Sequence, residues 1–459
     1  MTPPLVEAAL ARIAEVDRAG PMLRSVITTN PQATRPMPDV PSPGPLHGVP
    51  VLVKDNIDTV DMPTTAGSLA LANVPVVADA PLVTRLRQAG AVILGKTNLS
   101  EWANFRSPTS SSGWSAVGGL TLNPHALDRS AGGSSSGSAA AVAAGITRFA
   151  VGTETDGSIV CPAALCGVVG LKPTVGSIPG IGIVPISHSQ DTAGPITATV
   201  AEAALLQAVL SGQHPRTYVD HLAPDALRGA RIGVPRNGYW GYSPRADAVC
   251  EEAVRLLAAC GATIVDPAPL PSSQELAASN CEDVVLTTEF KVDVEAYLAR
   301  RPGGPRTLQD LVTFNTTYAD VELRHFGQER FERALSAPGP DDPAYHAALA
   351  TAHRLGRDEG IDAALRANGL DALVAPAFPP AWKIDLVNGD QVAGGCSTVS
   401  AIAGYPLLTV PCGEVDGLPV GLAFMGTAWS EGMLLRLGYA FEQALGFELK
   451  PAFRAPRAG

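Results

Sequence analysis

Two loops built almost wholly of small residues, Gly132-Gly133-Ser134-Ser135-Ser136-Gly137-Ser138 and Gly152-Thr153-Glu154-Thr155-Asp156-Gly157-Ser158-Ile159, stand on either side of one short helix–strand unit. Between them Ser138–Ala144 reads as an Ala-rich helix and Phe149–Val151 as an apolar strand. A single Ser/Gly loop is ordinarily a linker. Two of them framing a buried run must be held by the core, and loops of this composition let backbone N–H groups approach an anionic oxygen without side-chain obstruction.

The same texture extends outward. From Gly48 onward Val49–Val53, Leu82–Ala89, Ala91–Leu94, Ser138–Ala144 and Phe149–Val151 alternate strand and helix, which predicts an α/β fold: a large mixed, mostly parallel sheet covered by helices on both faces. Leu5–Val16 has apolar positions at helical spacing and a Pro-rich loop follows from Pro31 to Pro45, so residues 1–45 read as a helical lead-in to a core at 46–215. Residues 217–350 turn charged and helical (Ala246–Ala259, Ser273–Val284, Asp320–Leu335), with a strand candidate at Ile232–Val234, and read as a peripheral portion shaping a substrate pocket. Strand texture returns at Ala372–Ala375, Leu407–Val410 and Val420–Phe424, and Glu431–Leu445 closes as an amphipathic helix. Residues 370–447 are therefore expected to rejoin the first sheet, giving a single interleaved domain over 1–459.

The charge balance, 33 basic against 44 acidic residues for a net −11, comes with no cluster of Lys and Arg that could track a phosphate backbone. Nucleic acid is not an expected partner. Seven cysteines fall in no CxxC pair and beside no histidine at zinc spacing, which suits a reduced interior; no metal and no cofactor are expected. The first residues show neither a basic nor an apolar leader region, and Gly157–Leu171 is too short and too rich in Gly and Pro to span a membrane. The expectation is a soluble cytoplasmic protein whose oligomeric state is not legible.

Several short motifs compete for the chemistry. Gly90–Thr97 fits GxxxxGK[ST], but its variable positions, Ala-Val-Ile-Leu, read as a strand followed by a turn rather than as a phosphate-binding loop. Gly133–Gly137 fits GxSxG around Ser135, yet Asn123–Ser130 reads as a polar turn where a nucleophile elbow needs a strand. No local pattern marks His188, His214, His221, His325, His346 or His353 as a catalytic base, and His346 and His353 read as surface residues of one helix. Lysine is then the next candidate base, provided burial lowers its pKa by about two units. No serine lies three residues before a lysine, so a Ser–Lys pair must be built from distant segments. Lys54, at the end of the apolar run Val49–Val53, is the leading candidate; residue type alone favours a strand-end lysine paired with Asp55 or Asp58, and the two small-residue loops turn the reading toward a base.

Taken together, Val51–Ile57, Gly90–Glu101, Asp128–Gly145, Gly152–Thr174, Ser189–Pro195, Ala403–Pro411 and Gly417–Leu422 resemble, in order, the motifs of the amidase signature family of serine hydrolases. The resemblance covers most of the chain outside 217–350. It implies a Ser–cis-Ser–Lys triad in which Ser158 is the nucleophile, Ser134 the bridging serine beside a cis peptide bond and Lys54 the base. It further implies an oxyanion hole from the backbone N–H groups of Thr155, Asp156, Gly157 and Ser158, with Gly133, Ser135 and Thr153 in support.

The implied reaction is cleavage of a carbonyl C–N bond in a small-molecule amide, anilide or aryl carbamate through an acyl-enzyme, with esters and urethanes also open. The readings that compete with it are an amidotransferase-type subunit releasing ammonia for a partner and an inactive binding module on the same fold. Two positions depart from many family members: Asp156 stands where Gly is common and Val160 where Arg is common. The resulting GTETDGSIVCP run resembles the peptide amidase-like branch, and the Asp156 carboxylate is expected to be turned away from the oxyanion site or paired. The apolar segment Ala375–Trp382 would suit a hydrophobic acyl or aryl group.

Overall fold

Aliphatic runs with no polar face cannot lie at a solvent-facing surface, and this chain has enough of them to build a sheet that is buried on both sides. In the computed structural model, which describes residues 3–36 and 44–455, they form one 11-stranded sheet. Its strands, in chain order, are β1 (Val26–Thr29), β2 (Pro50–Lys54), β3 (Val92–Thr97), β4 (Phe149–Glu154), β5 (Val169–Lys172), β6 (Thr192–Thr197), β7 (Arg231–Gly233), β8 (Thr263–Val265), β9 (Ala372–Pro376), β10 (Leu407–Val415) and β11 (Leu418–Met425). They lie in the order β1-β3-β2-β4-β6-β5-β10-β11-β9-β7-β8. The sheet is mixed. Parallel pairs form two runs, β3–β2–β4 and β9–β7–β8, and the remaining neighbours pair antiparallel. Every residue of β2, β4, β6, β9 and β11 is buried.

The strand β3 continues through Gly95-Lys96-Thr97, so the expected turn after Leu94 is absent and Val92–Thr97 of the GxxxxGK[ST] match is strand. Asn123–Ser130, expected as a polar turn, contains the strand Ala126–Ser130, paired with Leu122–Asn123 in a two-stranded ribbon outside the main sheet. The lead-in is a helix, Pro4–Arg12, continued by a wider turn to Asp17; residues 37–43 of the Pro-rich loop lie outside the described residues.

The segment 217–350 is divided between two roles. Its strands β7 and β8 join the edge of the main sheet, where Ile232 pairs with Ala372, and helix Pro244–Ala259 packs Ala246, Cys250 and Leu257 into the same core as Leu408 and Phe424. The rest forms a helical cap. The expected helix at Ser273–Val284 is two, Ser273–Ala278 and Cys281–Leu298, because the chain turns extended at Ser279, whose hydroxyl accepts the Cys281 N–H. Asp320–Leu335 is likewise interrupted between Ala319–Glu322 and Glu329–Ser336. There the buried Arg106 guanidinium donates to the Phe326 and Gly327 carbonyls that a continuous helix would need.

Arg106 also carries the junction between cap and body. It pairs with Glu101 and lies 3.7 Å from Glu322, all three side chains fully buried. Around it Trp102, Phe105, Phe290 and Phe331 form an aromatic cluster. Arg106→Leu would leave two carboxylates buried without a countercharge, and a loss of about 3–5 kcal/mol is expected at neutral pH. Urea unfolding is the measurement, and an unchanged midpoint would refute the assigned role.

Candidate active site

The parallel pairing of β2 with β4, Val53 opposite Val151, brings the carboxyl ends of both strands to one edge of the sheet. Lys54 ends β2, Thr153 and Glu154 end β4, and antiparallel β6 delivers Asp191 and Thr192 to the same place, with Thr192 opposite Glu154. The first small-residue loop arrives from above helix Ser136–Ala143, and its Gly133–Ser134 peptide is cis. A Cβ on Gly133 would fall 2.3 Å from the Ser100 hydroxyl, so no larger residue fits at that bond.

Lys54 is fully buried. Its ammonium position is held by the Ser134 hydroxyl at 2.7 Å, the Thr153 hydroxyl at 2.9 Å and the Thr153 carbonyl at 3.1 Å. The alternative partners are taken elsewhere: Lys96 lies 3.4 Å from Asp55, and Arg301 lies 3.1 Å from Asp58. Burial pulls the Lys54 pKa down to about 7, against the opposing charges of Glu154 and Asp191. The amine is therefore poised between its two protonation states near neutrality.

Ser135 joins the two loops. Its N–H donates to the Ser158 carbonyl at 3.0 Å, and its hydroxyl donates to the Thr153 carbonyl at 3.1 Å. Ser158 is 7% exposed, and its hydroxyl has no hydrogen bond to another described residue. The turn before it leaves the N–H groups of Thr155, Asp156, Gly157 and Ser158 without acceptors among the described residues, while the next two are clamped: Glu154 Oε2 accepts from Ile159 at 2.7 Å and Val160 at 2.9 Å. Four successive N–H groups just before helix Val160–Cys166 are therefore without acceptors among the described residues. Gly157 sits at φ +78°, where a side chain would be strained, and its Cβ position is 3.0 Å from Ser397 Oγ and 3.1 Å from Phe378.

The Asp156 carboxylate is paired: Thr398 donates to it at 2.7 Å. Of Ala375–Trp382, Phe378 reaches the oxyanion turn while Trp382 is buried and donates to Asp390. Residues that no local pattern singled out complete the site. Asn56 donates to the Thr153 hydroxyl at 2.9 Å, and Asp191, pushed up to about 6 by burial, accepts from the Thr155 hydroxyl at 2.5 Å. Lys172, pulled down to about 8 by burial, offsets the Glu154 charge. These three come from segments far apart in the chain, so their only signal was membership of the matching motifs.

His188, Glu289 and Asp293 are the group among the described residues whose ligand atoms lie within 4.8 Å of one another. They act as a tether instead: Glu289 accepts from Ser187, Ser189 and Tyr345, and Asp293 accepts from the His188 ring and backbone. The hydrogen bond to Asp293 raises the His188 pKa to about 8, which favours the protonated ring and not a metal-binding one.

The buried lysine is thus hydrogen-bonded to the serine beside the cis bond, and Ser135 links that loop to Ser158 and to the turn of free amides. The amidase family profile matches residues 4–435. The chain is 36% identical to a probable amidase of Arabidopsis thaliana over 96% of this chain and 86% of that one. It is 36% identical to a glutamyl-tRNA(Gln) amidotransferase subunit of Symbiobacterium thermophilum, covering 98% and 94%. The structure of the native peptide amidase from Stenotrophomonas maltophilia superposes with a TM-score of 0.90 at 47% identity, covering 98% of this chain and 95% of that one. The protein belongs to the amidase family, hydrolases acting on C–N bonds.

The Lys54 protonation state can be read directly. With six lysines in the sequence, an NMR titration of labelled side-chain amines should show one group with a midpoint near pH 7 that disappears in Lys54→Met. A Lys54 midpoint near 10.5 would contradict a base made by burial.

Proposed function

We propose that the protein is a serine hydrolase that cleaves amide C–N bonds through an acyl-enzyme on Ser158. The observation that carries this reading is the 2.7 Å hydrogen bond between a buried Lys54, titrating near 7, and the hydroxyl of Ser134. Neutral Lys54 accepts the Ser134 proton as Ser134 accepts that of Ser158, and the Ser158 oxygen attacks the carbonyl. The free amides of residues 155–158 receive the developing oxyanion, where one such donor is typically worth about 3–4 kcal/mol. The relay returns the proton to the departing nitrogen, without which an amine does not leave. Water then attacks the acyl-enzyme by the same route and regenerates Ser158.

The first substrate to try is a peptide with a C-terminal amide, because the structure matching at TM-score 0.90 is that of a peptide amidase and this chain has the same fold over its length. Anilides, esters and aryl carbamates present the same carbonyl to the relay, so a urethane-cleaving side activity is part of the proposal. Phe378, against Gly157, supplies an apolar surface beside the carbonyl. Seven free thiols support a cytoplasmic setting, and no helix among the described residues is long and apolar enough to cross a membrane. A second reading, as one component of an amidotransferase, is favoured by the 36% identity to such a component; a partner co-purifying in stoichiometric amount would support it.

Product release followed by mass spectrometry on a primary amide, a peptide amide, an anilide and an aryl carbamate tests the proposal. Ser158→Ala, Ser134→Ala and Lys54→Ala should each lose roughly 10⁴-fold or more in kcat. Near-normal rates in any of them would refute the relay. In the wild type kcat/KM should rise with pH through about 7 and level above it, because the free amine is the active form and acid fills it with a proton. A profile that falls over that interval would assign the base elsewhere.

A further inference from the structure

Beside the Lys54 end of the site lies a cavity of about 450 Å³. Its floor is Asn56, Thr153 and Thr155, so it shares with Lys54 the hydroxyl of Thr153. Its walls are aliphatic: Ile178, Ile183 and Ile186 come from the loop after β5, and Ala296 and Tyr297 from helix Cys281–Leu298. Ionisable side chains enter its lining at His188, Asp191, Asp293 and Arg300, with His188 joined to Asp293 by hydrogen bonds at 2.8 and 2.9 Å. Phe378 and Ser397, which flank Gly157, do not line it. The site thus has two unlike neighbourhoods, the Phe378 surface against Gly157 and this chamber against Thr153 and Thr155; Lys54, Ser134 and Ser158 do not themselves line it.

The direction of proton flow decides which part of a substrate faces the chamber. In the tetrahedral intermediate the oxyanion points to the amides of residues 155–158, and the departing nitrogen must point to the group that protonates it. That group is reached through Ser134 and Lys54, so whatever the nitrogen carries extends toward the Thr153 floor. We propose that the cavity is the leaving-amine subsite and accepts an apolar alkyl group on the amide nitrogen. The inference rests on the Ser158 reading above. The step it adds balances as follows: the acyl–nitrogen bond of R–CO–NH–R′ breaks, the acyl–Oγ bond of Ser158 forms, the relay proton ends on R′NH₂, and water later releases R–COOH. Only amides with a substituted nitrogen use the chamber; a primary amide leaves it empty.

The test holds the acyl part constant and varies the amine. Each methylene moved from water into an apolar site is worth roughly fourfold, so an N-isobutyl amide should exceed the N-methyl amide in kcat/KM by about tenfold or more. Ala296→Phe, which fills the chamber, and Ile181→Asp, which charges its lining at a position 61% exposed, should each reduce that ratio at least fivefold, on the order of one or two methylenes. Cleavage of the primary amide that is lost in Ser158→Ala, combined with an isobutyl-to-methyl ratio near one or a ratio unmoved by both variants, overturns the subsite alone. Failure to cleave any amide, with circular dichroism showing folded protein, overturns the Ser158 reading and the subsite with it.

Discussion

Burial penalises the charge of an amine between strands, and the neighbouring strands β3 and β2 answer that penalty differently. Lys96 on β3 lies 3.4 Å from Asp55 and also donates to the Ile57 carbonyl and the Thr64 hydroxyl. Lys54, on the neighbouring strand, is given hydroxyls and a carbonyl instead. Uncharged partners satisfy the hydrogen-bonding demand of the amine without compensating its charge, so desolvation wins and the neutral form becomes accessible. The arrangement of the rest of the site follows from keeping carboxylates out of direct contact with that one nitrogen while holding Ser134 against it.

The carboxylates that are present are employed on the backbone. Glu154 holds the amides of Ile159 and Val160, which ends the run of free donors at Ser158 and fixes the start of the following helix. Asp191 holds the Thr155 hydroxyl and the amides of Ile186 and Ser187. That loop is in turn tied by His188, Ser187 and Ser189 to Asp293 and Glu289 on helix Cys281–Leu298. The helical cap is therefore mechanically continuous with Thr155, the first residue of the turn of free amides.

Much of the site was legible because its chemistry is written in short local runs. Gly132–Ser138 and Gly152–Ile159 need small residues for close approach, and their composition shows it; Lys54 stands out because its strand has no other polar residue. The GxxxxGK[ST] match fell for an equally local reason, since the aliphatic residues Val92–Leu94 continue as strand through Thr97. Helix breaks were the least legible. The interruption between Glu322 and Glu329 is caused by Arg106, more than two hundred residues earlier, which donates to two of its carbonyls. Asn56 and Asp191 were invisible as site residues for the same reason, their partners being distant in sequence.

By itself the sequence determined the class of fold and the residue types of the candidate site, because burial patterns and small-residue loops are properties of contiguous stretches. It left open whether Lys54 pairs with Asp55 or Asp58 or with uncharged groups. Only the tertiary structure decided that, by placing Lys96 on Asp55 and Arg301 on Asp58 and leaving Ser134 and Thr153 for Lys54. The physical reason is that a pKa is set by what surrounds a group in space. That surrounding is assembled from β2, β4, β6 and the loop before helix Ser136–Ala143, which meet only when the sheet closes.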